Sequence, residues 1–453
     1  MSRRITIAAG AIPLLVFLAV YTPAVGLGFI SDDYRWVRES HVTHISDVGR
    51  LFRQDNGFYR PLVSLTFAAN RAIGGIDPRP YGLTNLGLAL ACAALLALLC
   101  RRLGLTAAAA AFAALVWLLN FHGINMALLW ISGRTALVLI IAALGAANAV
   151  VSRKTLLAGL LVLCALFAKE EAVLLPFTLI AWSLILGHHR DGGWRHVTIL
   201  VMLFACDLIA YFWLRSGTHA MTPATAPAFY HLTLSPAALV RNLAEYADRS
   251  LTFAVAVTLL GILILKRTGS RLRVPLTTLW LAASWYIGGC AITTLVPSRS
   301  SLYACLPSIA AAIVCAEICG MLWRQASHTR QRLALAAVAV VPILCLPAYV
   351  ARNHRWTDLA RFSTTVTDYL APHVVTLPPD SWIVLVDEDG VRVNLRSAFG
   401  DLLPDAFALS ANHAIRVWVE SAQGPLGESV PPCAECQSKR FVVRDRQIYV
   451  APQ

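Results

Sequence analysis

Along this chain, apolar stretches of roughly 15 to 25 residues alternate with short polar breaks, and a run of that length lets a helix cross about 30 Å of hydrocarbon. The stretches fall near 5–28, 82–100, 105–121, 135–151, 155–168, 172–187, 197–214, 251–265, 274–296, 302–323 and 333–350. They predict an α-helical polytopic membrane protein with about eleven transmembrane helices. Beyond about residue 355 the pattern changes. "SWIVLVDEDG", "VRVNL", "AIRVWVE" and "RFVVRDRQIYV" are rich in Val, Ile and aromatic residues and are broken by turn formers. These read as short strands and hairpins, hence a small β-rich or α+β soluble domain. The expected division is a membrane domain over 1–355, with a large loop at 29–81, and a C-terminal domain over 356–453.

Composition agrees with the pattern and narrows the setting. Hydrophobic residues make up 57% of the chain, charged residues only 14%, and the mean hydropathy is +0.63, which excludes an ordinary soluble domain. The net charge of +13 does not point to nucleic acid, because the basic residues sit in breaks such as "CRRLG", "SRKT" and "KRTGSRLR" rather than along one soluble face. Breaks rich in Arg and Lys and poor in acid mark cytoplasmic loops. The N-terminus is therefore expected in the cytoplasm, and residues 29–81, 122–134, 215–250, 297–301 and the C-terminal domain outside it, in the periplasm of a cell with an inner membrane. The first apolar run is longer than the apolar region of a signal peptide and reads as a retained helix.

Of the eleven cysteines, most lie in or beside apolar spans, where a thiol behaves as a small buried hydrophobe. Cys433 and Cys436 form "CAEC" in the tail, a spacing compatible with a redox pair, half a zinc site or a local disulfide. A tail in an oxidising compartment favours the disulfide.

The ionisable residues placed at the outer membrane edge carry the functional signal, because such groups are costly there. They are Asp32, Asp33, Arg35, Arg60, His122, Arg134, Lys169, Glu170, Glu171, Arg215 and Arg299. Guanidinium and ammonium groups suit a phosphate, and a carboxylate suits removal of a proton from an attacking hydroxyl. Glycosyl transfer from a lipid-linked phosphosugar needs both. Simpler roles also fit: Asp32 and Asp33 as helix caps, Lys169 snorkelling to headgroups, Arg134 and Arg299 as loop anchors, His122 as an interfacial histidine.

The blocks "SDDYRWV", "FYRPLVSLTF", "WISGRTALV", "AKEEAVLLP", "SRSSLYACLPS" and "RNHRWTDLA", in that order, resemble those of multi-pass GT-C glycosyltransferases of the TMTC-like type, which use polyprenyl-phosphate sugars. The resemblance covers roughly residues 28 to 360. It implies an inverting transferase in which Asp32 and Asp33 supply the catalytic carboxylate. It also implies that Lys169, Arg299 and Arg134 surround the donor phosphate with Glu170 and Tyr303 in support, and it places Arg60 in the "YRPL" block, as a phosphate ligand or as a brace of the outer loop; His122, from the membrane-edge set, is a further supporting candidate. The partners implied are a polyprenyl-phosphate sugar donor and an acceptor protein, glycan or glycolipid. Two departures stand out. The eukaryotic members carry histidines around "YGLTNLGLALA", where this chain has Gly82, Asn85 and Ala89, and the repeats of about 34 residues that follow their membrane region are absent.

Paired carboxylates also suit a divalent cation. The neighbouring cations already balance a phosphate, so no obligatory metal is expected. The competing function is a transporter or lipid flippase, whose folds show internal repeats and broken midplane helices; no convincing repeat is visible here.

Overall fold

The computed structural model describes residues 3–53, 57–190, 193–222, 225–266, 272–388, 393–421, 424, 426–427 and 438–451. Cys433 and Cys436 lie outside the described residues, as does the start of "VRVNL".

A helix stands at each of the apolar stretches read from the sequence. Among the described residues, six segments are long and apolar enough to cross a membrane: Pro78–Arg102, Ile131–Val151, Trp194–Ser216, Pro236–Leu265, Ser301–Gln325 and His328–Val375. Length and composition thus confirm six of the expected spans among the described residues and do not confirm about eleven. Gly10–Ala24, Ala107–Leu118 and Thr155–Ala168 are apolar but shorter. The helix Arg134–Val151 is buried almost throughout and packs against Pro78–Arg102 and Thr155–Ala168. That burial explains why its sequence is apolar all round instead of on one stripe. By contrast, Trp194–Ser216 and Pro236–Leu265 expose most of their apolar side chains, the surface expected to meet lipid.

The last long helix, Leu346–Val375, runs without a break from the apolar region into the C-terminal domain, passing through the expected boundary at 355. There it meets a five-stranded sheet: β1 (Trp382–Asp387), β2 (Arg416–Ser421), β3 (Leu426–Gly427), β4 (Ser438–Arg444) and β5 (Gln447–Val450). The spatial order is β3-β2-β1-β4-β5. The hairpin expected in "RFVVRDRQIYV" is present as β4–β5, turning at Asp445 and Arg446, whose φ angles of 54° and 62° are those of a tight two-residue turn. The centre of the sheet differs from a set of hairpins, because β1 pairs in parallel with both β2 and β4. Parallel neighbours require crossovers. Two short helices, Leu395–Phe399 and Leu403–Ala411, form the one between β1 and β2, and Asn394 caps the first through Ser397 N at 2.8 Å.

Candidate active site

The acidic block opens the first large loop. Ser31 takes a left-handed φ of 50°, and its N–H donates to the Ala398 carbonyl of the C-terminal domain at 2.8 Å. A short helix, Asp33–Glu39, begins there and turns the two adjacent carboxylates in different directions. Asp33 is fully buried and accepts from Ile30 N at 2.9 Å, from Ser132 N at 2.6 Å and from the Ser132 hydroxyl. Burial pushes its carboxyl up to about 7 against the pull of those donors. Asp32 is half-buried, occupies the N-cap position without making a capping hydrogen bond, and faces a cavity. Burial raises its carboxyl above the usual range, while Arg60 and Arg35 draw it back down.

The cavity has a volume of about 560 Å³. Its charged lining among the described residues is Asp32, Arg60, Lys169, Arg249, Arg299, Arg352 and Arg355, so Asp32 is the one carboxylate on a wall of cations. Tyr230, Tyr303 and the indoles of Trp36, Trp130 and Trp356 complete much of the wall.

Local sequence explains how these side chains arrive. Pro61 at the start of the helix Pro61–Gly74 holds Arg60 in a non-helical conformation just before it. Arg60 then lies 4.0 Å over the Phe58 ring and donates to Glu170 at 2.8 Å. The helix Thr155–Ala168 ends at Lys169, which is extended, with φ −164° and ψ 145°. An extended residue sends successive side chains to opposite sides. Lys169 accordingly pairs with Glu171 and sits 4.8 Å over the Tyr303 ring, whereas Glu170 turns to Arg60 and Arg215. Burial acts to raise Glu170, but Arg60 and Arg215 overcome it and leave the carboxyl below its usual value. Arg299 pairs with Glu245, which also receives Arg249 at 2.9 Å.

Of the residues expected around a donor phosphate, the structure brings Lys169, Arg299 and Arg60 to the cavity with Asp32, and places Tyr303 beside Lys169. Arg134 does not reach it. Gly133 packs so closely that a Cβ there would lie 2.7 Å from Ala127 Cα, and this seats the next residue inside the bundle. Arg134 is fully buried, and its guanidinium donates to Asn85 Oδ1 at 3.0 Å, Asn70 Oδ1 at 2.6 Å and the Tyr81 carbonyl at 2.9 Å. Its donors are committed to bracing helices. Asp33 likewise stays inside, held by Ser132. His122 is not on the cavity wall; its Nδ1 lies 3.2 Å from Arg352 Nη2 and 3.9 Å from Asp248. Burial, then Arg352, holds this imidazole below the ordinary histidine value. Among the described residues, no group of three or more His, Cys, Asp and Glu side chains is placed to hold a metal ion.

The sequence reading missed Arg249, Arg352, Arg355 and Tyr230. The block "RNHRWTDLA" did contain a usable signal, since positions three and four apart share a helix face, here Arg352, Arg355 and Trp356.

The C-terminal domain grips the loop that carries Asp32. Tyr34 hydrogen-bonds Ser363 at 2.6 Å and stacks on Phe399 at 5.5 Å, Thr364 donates to the Leu27 carbonyl at 2.7 Å, and Arg38 reaches Asp405 at 2.7 Å.

No family model matches the chain, and no curated protein matches it. Among solved structures, it is similar to ArnT from Cupriavidus metallidurans bound to undecaprenyl phosphate, with a TM-score of 0.50 and 14% identity over 90% of this chain and 85% of that one. The apo state of the same protein gives a TM-score of 0.47 and 13% identity over the same shares. The likeness to the first is one of fold.

Proposed function

We propose that this chain is a membrane glycosyltransferase of the GT-C type, moving a sugar from a polyprenyl-phosphate donor to an extracytoplasmic acceptor. The observation that carries the reading is Asp32, the single cavity carboxylate among the described residues, beside Arg60, Lys169 and Arg299. The ArnT structure that shares the fold is described as bound to undecaprenyl phosphate, which supports a lipid phosphate as the leaving group.

In this reading the acceptor hydroxyl attacks the anomeric carbon from the face opposite the phosphate. Asp32 takes the hydroxyl proton, a carbon–oxygen bond to the acceptor forms, the bond to the phosphate oxygen breaks, and the configuration inverts. Charge grows on the departing phosphate, where fixed cations stabilise it more than they stabilise the bound donor. Lys169, Arg299 and Arg60 serve there, with Glu170 orienting Arg60 and Tyr303 packing beneath Lys169. Asp33 and Arg134 act at a distance: the first ties the loop helix to Ser132, and the second locks the helices behind it.

The same reading puts the N-terminus in the cytoplasm of a cell with an inner membrane, residues 1–355 in the membrane domain and 356–453 outside. The test is release of polyprenyl phosphate from a polyprenyl-phosphate sugar by the purified full chain. Transport of the intact donor across vesicles without release would instead favour a flippase.

A further inference from the structure

The six cations on the cavity wall among the described residues are not equivalent. Arg60 is paired with Glu170, Lys169 with Glu171, and Arg249 and Arg299 share Glu245. Arg352 and Arg355, both on the helix Leu346–Val375, have no carboxylate partner among the described residues. The nearest acid on their own helix, Asp358, is engaged by Arg361 at 3.5 Å and His354 at 3.9 Å. Across the gap, Asp248 accepts from the Thr252 hydroxyl at 2.9 Å and lies 3.9 Å from His122. Arg352 Nη2 meets the neutral-side acceptor His122 Nδ1, and Arg355 lies 5.6 Å from the Trp356 ring centroid. Trp356 in turn is stacked on Trp130, rings 11° from parallel with centroids 6.0 Å apart, which fixes this stretch of helix against the cavity.

From this we infer that Arg352 and Arg355 form a second oxyanion subsite, for a phosphate-class group, separate from the glutamate-paired cations at Lys169 and Arg299. The inference builds on the reading of this cavity as the transfer site. Arg249 and Arg299 have one carboxylate between them, as do Arg60 and Arg215, whereas Arg352 and Arg355 have none, so the uncompensated positive charge of the wall is greatest on this helix face, and a phosphate oxyanion is the ligand whose charge and acceptor geometry two neighbouring guanidinium forks match. Paired cations can still donate hydrogen bonds to a ligand, but their charge is offset in whole or in part. An incoming anion gains most where it is not. A phosphate here comes from one of two sources: the polyprenyl-phosphate donor, or an anionic group on the acceptor.

Site-resolved arginine modification of the full chain in detergent distinguishes them. The purified protein is treated with phenylglyoxal alone, with undecaprenyl phosphate, with undecaprenol, or with inorganic phosphate, and labelling at each arginine is read by mass spectrometry. Slowing of modification at Arg352 and Arg355 by about tenfold with undecaprenyl phosphate, but not with undecaprenol, supports the subsite and moves the donor's one phosphate to it from Lys169, Arg299 and Arg60. Slowing by inorganic phosphate alone supports the subsite and assigns it to the acceptor. In either case R352Q/R355Q weakens binding of the protecting probe by about tenfold or more, with the thermal midpoint unmoved. Unchanged modification of both arginines under every probe overturns the subsite. The transfer reading fails by a different result, absence of polyprenyl phosphate release by the wild-type chain.

Discussion

Arg38 Nη1 lies 2.7 Å from Asp405 Oδ1, and this contact joins the loop helix that starts beside Asp32 to the C-terminal domain. Arg35 approaches the same carboxylate at 3.5 Å. Together with the Tyr34–Ser363 hydrogen bond and the left-handed Ser31 held by Ala398, it makes the C-terminal part of the chain a portion of the scaffold of the site.

Asp405→Ala removes the shared acceptor. Both arginines are about two-fifths exposed and rehydrate, so the folding cost is small, about 1 kcal/mol. Looser placement of Asp32 costs more in rate, about tenfold. Thermal midpoint and turnover measured on one preparation separate the two effects; turnover equal to wild type would show that the clamp is irrelevant to transfer.

Arg134→Ala should act in the opposite sense. It leaves Asn70, Asn85 and the Tyr81 carbonyl without their buried donor, a loss of about 3 kcal/mol or more. The folded fraction that survives should bind undecaprenyl phosphate as the wild type does, because the guanidinium does not reach the cavity. Calorimetric or fluorescence binding on the monodisperse fraction checks this, and a large loss of affinity without a loss of stability would return Arg134 to the phosphate.

The acid limb of the pH–rate profile is set by Asp32 if it is the base. Its carboxyl is raised by burial, so activity should fall as pH drops through a value above about 4, the ordinary carboxylate range. Asp33 affects stability instead. With its carboxyl at about 7, the folded chain keeps a proton that the unfolded chain releases near 4. Folding stability attributable to this group is therefore present below about pH 4 and lost as pH rises through about 7. Turnover and thermal midpoint followed across that interval, in wild type and Asp33→Asn, test both statements; the Asn variant should lack the Asp33 component of the stability slope.

The apolar helices and the charges gathered at their ends were legible because a long apolar run and a charge at its end have few alternative explanations. The difference between Asp32 and Asp33 was not. Neighbours in sequence look alike, and only the start of a helix at Asp33 turns one to Ser132 and the other to the cavity. Similarly, "AKEE" does not reveal that Lys169 pairs with Glu171 rather than Glu170, since that depends on one extended residue at a helix end. Arg134 was drawn to the phosphate by its block, but its partners, Asn70 and Asn85, sit on two other helices. The parallel strands of the tail were missed for a related reason: strand patterns identify β1, β2 and β4, while their neighbours are chosen by crossovers that leave no local signal.

The most direct measurement is turnover of a polyprenyl-phosphate sugar by purified wild-type and Asp32→Asn chains in lipid nanodiscs, counted as released polyprenyl phosphate. Asn keeps the shape of the side chain and removes the base. Release by the wild type and a fall by a factor on the order of 10² or more in the variant, with the thermal midpoint preserved, are expected. Equal release by the two proteins would contradict the assignment of Asp32 as the base.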